Sequence, residues 1–260
     1  MMGIVYFIVI FLACMWGAIV GLGGGVFIRP IFDAIGHHDV LNIQFLASSA
    51  IITMALVSTY RKVKDNVKIE FKVALLVSLG AVAGGMGGDS LLQFVLGRLG
   101  TDAAFQQVQN IGTIIVLSIC IFLATKRELR CVITNKFFAL LLGVGMGVIA
   151  VFLGIGGGPV NVPLLMIFLG LPMKQAAAYS IVIIFFSHLS RIVNMGITVG
   201  FGEFDLRYLL FAIPAAALGG IVGAVFSQKF SEKLVHKLFI IALLAVIALN
   251  IYNGVMLVLA

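Results

Sequence analysis

Apolar residues run in ten stretches separated by short polar turns, at 1–20, 26–36, 43–60, 73–97, 106–125, 136–153, 159–169, 176–195, 207–228 and 236–258. Eight of them reach the length of a helix that crosses a hydrocarbon core of ~30 Å. The second and the seventh do not, since a segment that short makes only roughly 15 Å of helix. The pattern predicts an all-α chain of two sets of five segments, with a half-helix second in each set.

Each half-helix follows a glycine-rich break. Gly21-Leu22-Gly23-Gly24-Gly25 precedes Arg29-Pro30, and Gly154-Ile155-Gly156-Gly157-Gly158 precedes Asn161-Val162-Pro163. Gly21 matches Gly154 and Pro30 matches Pro163 at a common offset of 133. Further matches follow in order: Gln44, Ala47 and Ser49 with Gln175, Ala178 and Ser180; Glu70 with Asp205; Gly84, Gly85 and Gly88 with Gly219, Gly220 and Gly223. The chain is therefore read as a duplication, with repeats at 1–125 and 136–260 and a polar cytoplasmic linker at 126–135.

Loop charges give the relation between the repeats. Loop 61–72 carries Arg61, Lys62, Lys64, Lys68 and Lys72, whereas its counterpart 196–207 carries only Arg207. Loop 97–105 carries only Arg98, whereas 229–237 carries Lys229, Lys233 and Lys237. The bias reverses between equivalent loops, which favours inverted repeats. Thirteen basic residues then fall inside against two outside, with both termini outside. An odd number of crossings per half is required, so each short segment is expected to help complete a crossing; a re-entrant second segment is the rival arrangement.

Composition agrees with a membrane protein. Hydrophobic residues make up 62% of the 260 residues and charged ones 10%, against about 25% charged in soluble domains. The net charge of +7 is interleaved with apolar spans and reads as orientation, not as nucleic-acid binding. Residues 1–20 contain no Lys or Arg and are read as a retained first helix. Cys14, Cys120 and Cys131 are far apart and form no ligand or disulfide framework, so two are expected in helices and one at a loop.

Candidate chemistry gathers at the breaks. A half-helix that begins inside the membrane aims backbone N–H groups and a partial positive charge at what lies before it, which suits an anion. The candidate substrate-binding residues are Gly23, Gly24, Gly25, Arg29, Ser49, Gly156, Gly157, Gly158, Asn161, Ser180, His188 and Arg191; Gly21, Pro30, Gly154 and Pro163 make the breaks. An arginine within a span is costly and by default a functional candidate. Arg29 has the alternative of pairing with Asp33 or snorkelling, and Arg191 that of an interfacial cap. Ser187, His188, Arg191 and Asn194 share one helical face. For Ser49, Ser180 and Asn161 interhelical hydrogen bonding is the other reading. His188 and Asp89 are candidates for proton coupling. Gly84, Gly85, Gly88 and their counterparts are read as close helix packing. His37-His38-Asp39 is read as a solvated turn, and no metal or cofactor is expected.

The doubled G-x-G-G-G with its following Pro, short segment and Ala-x-Ser helix start resembles the TauE/SafE family of sulfite exporters across essentially the whole chain. The resemblance implies a secondary transporter of the bacterial inner membrane that moves sulfite or small organosulfonates outward, with roles carried over only to the matching glycines and prolines. The expected partners are a small anionic substrate and the lipid bilayer, with no nucleic acid and a homodimer left open. A passive anion channel and an importer of a sulfur oxyanion are alternatives. Nothing in the sequence resembles a nucleophile–base constellation or an ATPase domain, so an enzyme is not expected.

Overall fold

In lipid every backbone N–H and C=O must be satisfied within the chain, so apolar runs of this length fold as helices. The computed structural model describes residues 2–67, 69–99, 102–125, 131–132, 135–153 and 156–259. Gly154, Lys68 and most of the 126–135 linker lie outside the described residues, as do the side chains of Asp33 and Asp89. The helices are α1 (Met2–Val20), α2 (Gly25–Ile35), α3 (Val40–Lys64), α4 (Phe71–Leu99), α5 (Asp102–Thr125), α6 (Lys136–Phe152), α7 (Gly158–Phe168), α8 (Met173–Thr198), α9 (Leu209–Lys229) and α10 (Glu232–Leu259). Two short 3-10 turns, Phe201–Glu203 and Leu206–Tyr208, lead into α9. Among the described residues, seven helices are long and apolar enough to cross a membrane. Leu12, Leu56, Leu79, Ile119, Leu210 and Ile251 are exposed on the outside of the bundle, where lipid rather than water suits them.

The helices overrun the apolar segments by a few residues into polar flanks. Lys62, expected in a loop, sits in the last turn of α3 with its side chain 1% exposed. Its neighbour Arg61 pairs with Asp65 at 3.1 Å and is more exposed. Helical phase separates the two: one residue of helix turns Lys62 about 100° away from Arg61 and into the protein.

Both short helices double back. Tyr6 of α1 packs edge-on against Phe32 of α2, with ring centroids 4.1 Å apart, and Tyr6 Oη bonds His38 Nδ1 at 2.8 Å. A methyl group on Gly17 would run into Gly24, and one on Gly24 would come 3.1 Å from Ala13. In the second half Phe138 of α6 meets Phe168 of α7 at 5.5 Å, and the Cys131 amide donates to Ile167 at 3.1 Å. The short helices thus return to the end where the preceding helix began. Since α1 ends beside Ser227 near the end of α9, and α6 ends beside Gln109 near the start of α5, each break with its short helix carries the chain back along the length of the bundle.

Two ends result. At one end His37 Nε2 meets Tyr208 Oη at 2.9 Å, His38 lies 3.7 Å from Asp205, and the Asp205 amide donates to Asn42 at 2.8 Å. The rings of Phe45 and Phe204 stack there at 4.4 Å. His38 is thus engaged in this cluster instead of standing in solvent as expected. At the other end Lys174 donates to the Gln228 carbonyl at 2.9 Å, the Glu70 amide donates to Tyr179 at 2.8 Å, and His236 donates to the Ala124 carbonyl at 2.9 Å. We call these the histidine end and the basic end.

Packing is exchanged between the halves. A Cβ on Gly84 would strike the Val144 carbonyl and one on Gly88 would come 3.0 Å from that of Val148, so α4 lies flush on α6. Gly219 faces Phe11 and Gly223 faces Met15 in the same way, which seats α9 on α1. These glycines do what their small-residue spacing predicts: they let backbones approach. Cys14 and Cys120 are buried in helices and Cys131 is exposed.

Candidate functional site

The breaks require glycine. Gly21 and Gly23 in the first, and Gly156 and Gly157 in the second, have φ of +83°, +73°, +70° and +82°. This left-handed region costs other L-residues roughly 1–2 kcal/mol each. The breaks also meet: a methyl group on Gly158 would fall on the Leu22 carbonyl. No side chain caps α2 or α7; Gly24 and Gly157 hold the N-cap positions.

A cavity of about 490 Å³ opens beside the second break. Its floor is Gly156, Gly157 and Asn161, and α3, α4, α6 and α8 make its walls. The polar lining is Arg29, Gln44, Gln109, Asn161, Ser187, His188, Ser190, Arg191 and Asn194, with no carboxylate among the described lining residues. Arg191 and Asn194 are exposed at the mouth, towards the histidine end, whereas Asn161 and His188 are buried. The cavity thus carries two guanidinium groups and one helix N-terminus, all favourable to negative charge.

Individual contacts fix the geometry. Arg191 donates to Gln44 Oε1 at 2.9 Å across the α3–α8 pair. His188 Nδ1 meets Ser48 Oγ at 3.1 Å, and its Nε2 points towards Gly156, 4.0 Å from where a Cβ would stand. The helix–helix hydrogen bond considered for His188 is therefore present, and the same ring also reaches the break. The Asn161 amide folds over Gly157, its nitrogen 3.4 Å from where a Cβ would be.

Of the sequence candidates, Arg29, Gly156, Gly157, Asn161, His188 and Arg191 come together on this cavity. Gly23, Gly24, Gly25, Gly158, Ser49 and Ser180 are not among its lining. Gly23 is closed over by Ile184 and Gly25 by Ile51. Ser49 donates to its own helix at Phe45, and Ser180 donates to the Gly21 carbonyl at 2.7 Å, bracing the first break. Ser48, Ser190 and Gln109 escaped the sequence reading. Ser48 is adjacent to the repeated Ser49, and only the rotation of α3 decides which hydroxyl faces α8.

A family model, "Sulfite exporter TauE/SafE", matches residues 6–251. The chain is 25% identical over 267 aligned residues to a protein of Bacillus subtilis (strain 168) described as "Probable membrane transporter protein YunE", covering 92% of this chain and 93% of that one. No solved structure matches it.

Proposed function

The chain belongs to the sulfite exporter TauE/SafE family, and from that premise we propose that it exports a small sulfur-containing anion, sulfite or an organosulfonate, by alternating access. It is a multi-pass membrane transporter of that family. The observation that carries the substrate class is the convergence of Arg29 and Arg191 with the α7 N-terminus on one cavity. In this reading those groups replace the water around the anion.

The inverted relation of the repeats belongs to the same proposal. It is supported by the exchanged packing, in which the first helix of each half lies on the fourth helix of the other. It is supported too by the mirrored links of Asn42 to the Asp205 amide and of Tyr179 to the Glu70 amide. The excess of Lys and Arg at the basic end makes that end cytoplasmic under the positive-inside rule. The cavity then opens outward and the termini lie outside. Export of an anion runs downhill by ~2.3 kcal/mol per charge per 100 mV of inside-negative potential.

The carrier reading is supported by the close contact of the two breaks, Gly158 against the Leu22 carbonyl, beside the cavity. The experiment is flux of radiolabelled sulfite in proteoliposomes of the purified protein. Saturation and counterflow are expected. Saturable flux without counterflow rejects the carrier, and absence of sulfite flux rejects the substrate.

A further inference from the structure

The α3–α8 pair carries polar groups at both ends, and only one end is on the cavity. At the histidine end Arg191 of α8 reaches Gln44 near the start of α3. The helices run antiparallel, so the end of α3 meets the start of α8 at the basic end. There Lys62 is buried with its side-chain nitrogen lacking any hydrogen-bond partner among the described residues. One turn earlier on α3, Ser58 is fully buried and its hydroxyl is equally unpartnered. Among the described residues no carboxylate pairs with Lys62; Asp65 is taken by Arg61, and Glu232 accepts the Lys174 amide at 3.4 Å. Lys174, at the start of α8, lies close enough for its charge to be felt at Lys62.

A buried amine beside a cation, with a neighbouring hydroxyl left unsatisfied, is an expensive arrangement for a fold to keep. The repeat register matches the other polar partners of this helix pair to the same end. Gln44 matches Gln175 at an offset of 131 and Ser49 matches Ser180 at the same offset. That register makes Tyr60, two residues and about 200° of helix from Lys62, the match of Arg191, and Gln175, beside Lys174, the match of Gln44.

We infer that Ser58, Lys62 and Lys174 form a second anion site at the basic end, across the α3–α8 pair from the Arg191–Gln44 mouth, which receives the substrate anion when the opposite side opens. The inference rests on the transporter reading above. In the arrangement described here the site is closed over, and opening the basic end exposes a cation that a small oxyanion neutralises. Ser58 then donates its hydroxyl to the same anion.

The test is sulfite flux in proteoliposomes of known protein orientation, without potential or gradient, for the parent and for Lys62→Met, Lys62→Arg and Ser58→Ala. Loss of one charge-assisted contact should raise the half-saturating sulfite concentration at the basic face about tenfold in Lys62→Met, with the maximal rate unchanged. From the histidine face half-saturation should stay put and the maximal rate fall by the same factor, because the two efficiencies must be equal without a driving force. Lys62→Arg should restore most of the loss, and Ser58→Ala should show the same pattern more weakly. Lys62→Met should also melt higher than the parent without anion, since an apolar side chain replaces an unpaired charge. A merely structural lysine would show no face-dependent change, or a lower melting point on replacement, and either result overturns the inference. Parent flux that saturates while all variants share its profile rejects this site alone. Absence of saturable flux in the parent rejects the transporter reading and this site with it.

Discussion

The two glycine breaks share a sequence pattern, and Gly23 and its match Gly156 share a left-handed backbone, but the breaks do different work. The first is sealed: Ala177 and Ile184 of α8, Ile51 of α3 and Ala13 of α1 close on Gly21, Gly23, Gly25 and Gly24 in turn. The second is open on one side, where Gly156 and Gly157 floor the cavity under His188 and Asn161. A motif of this kind therefore sets a reversal of the chain and no more. Whether the reversal makes a binding surface depends on what leans against it, and in an alternating transporter the two would exchange these roles.

Substitutions can break or sharpen that contrast. The largest effect is expected where backbone meets backbone. Gly158→Ala drives a methyl group into the Leu22 carbonyl, and Gly21→Ala drives one to 2.5 Å from the Ala177 Cα in addition to its φ of +83°. Each should cost about 3 kcal/mol of stability, read as a clear drop in thermal midpoint in detergent. Gly156→Ala has no such obstacle and should cost only about 1 kcal/mol of strain. Equal losses at Gly21 and Gly156 would mean the two breaks are equally packed.

Next comes charge at the open break. Arg191→Gln and Arg29→Gln should each weaken sulfite binding about tenfold or more, with little change in melting, as measured by calorimetry on the purified protein. Unaltered affinity in both would remove the arginines from the site.

Smaller is the brace of the sealed break. Ser180→Ala leaves the buried Gly21 carbonyl without its partner at 2.7 Å, a loss of about 1 kcal/mol. Smallest is Ser49→Ala, whose hydroxyl only returns to its own helix at Phe45; a change under about 0.5 kcal/mol is expected. A reversed order of the two serines in thermal unfolding would contradict their different placement.

Much of this was legible in the sequence, because membrane helices are specified by long apolar runs and the breaks by glycine. Segment ends differ by a few residues, since helices continue into the polar interface, and Lys62 therefore belongs to α3 instead of a loop. The role of the short segments was harder. An interrupted run looks the same whether the chain proceeds or turns back, and only the contacts of Phe32 with Tyr6 and of Phe168 with Phe138 decide it. The site was partly readable: helical spacing collected His188 and Arg191 on one face of α8. Choosing Ser48 over Ser49, or finding Gln109 and Ser190, depends on helix rotation about axes that a single sequence does not fix.

The seating of α1 on α9 has a consequence for how the protein is made. Two elements that lie side by side in the finished molecule are separated by nearly the whole chain. At about 5–20 residues per second of synthesis, the first helix waits on the order of ten seconds or more for its partner to emerge. During that interval the faces of Phe11, Met15 and Ala18, later covered by Gly219 and Gly223, have only lipid against them. The amino-terminal repeat is thus an unfinished surface until the carboxy-terminal repeat arrives, and the two are expected to mature as one unit.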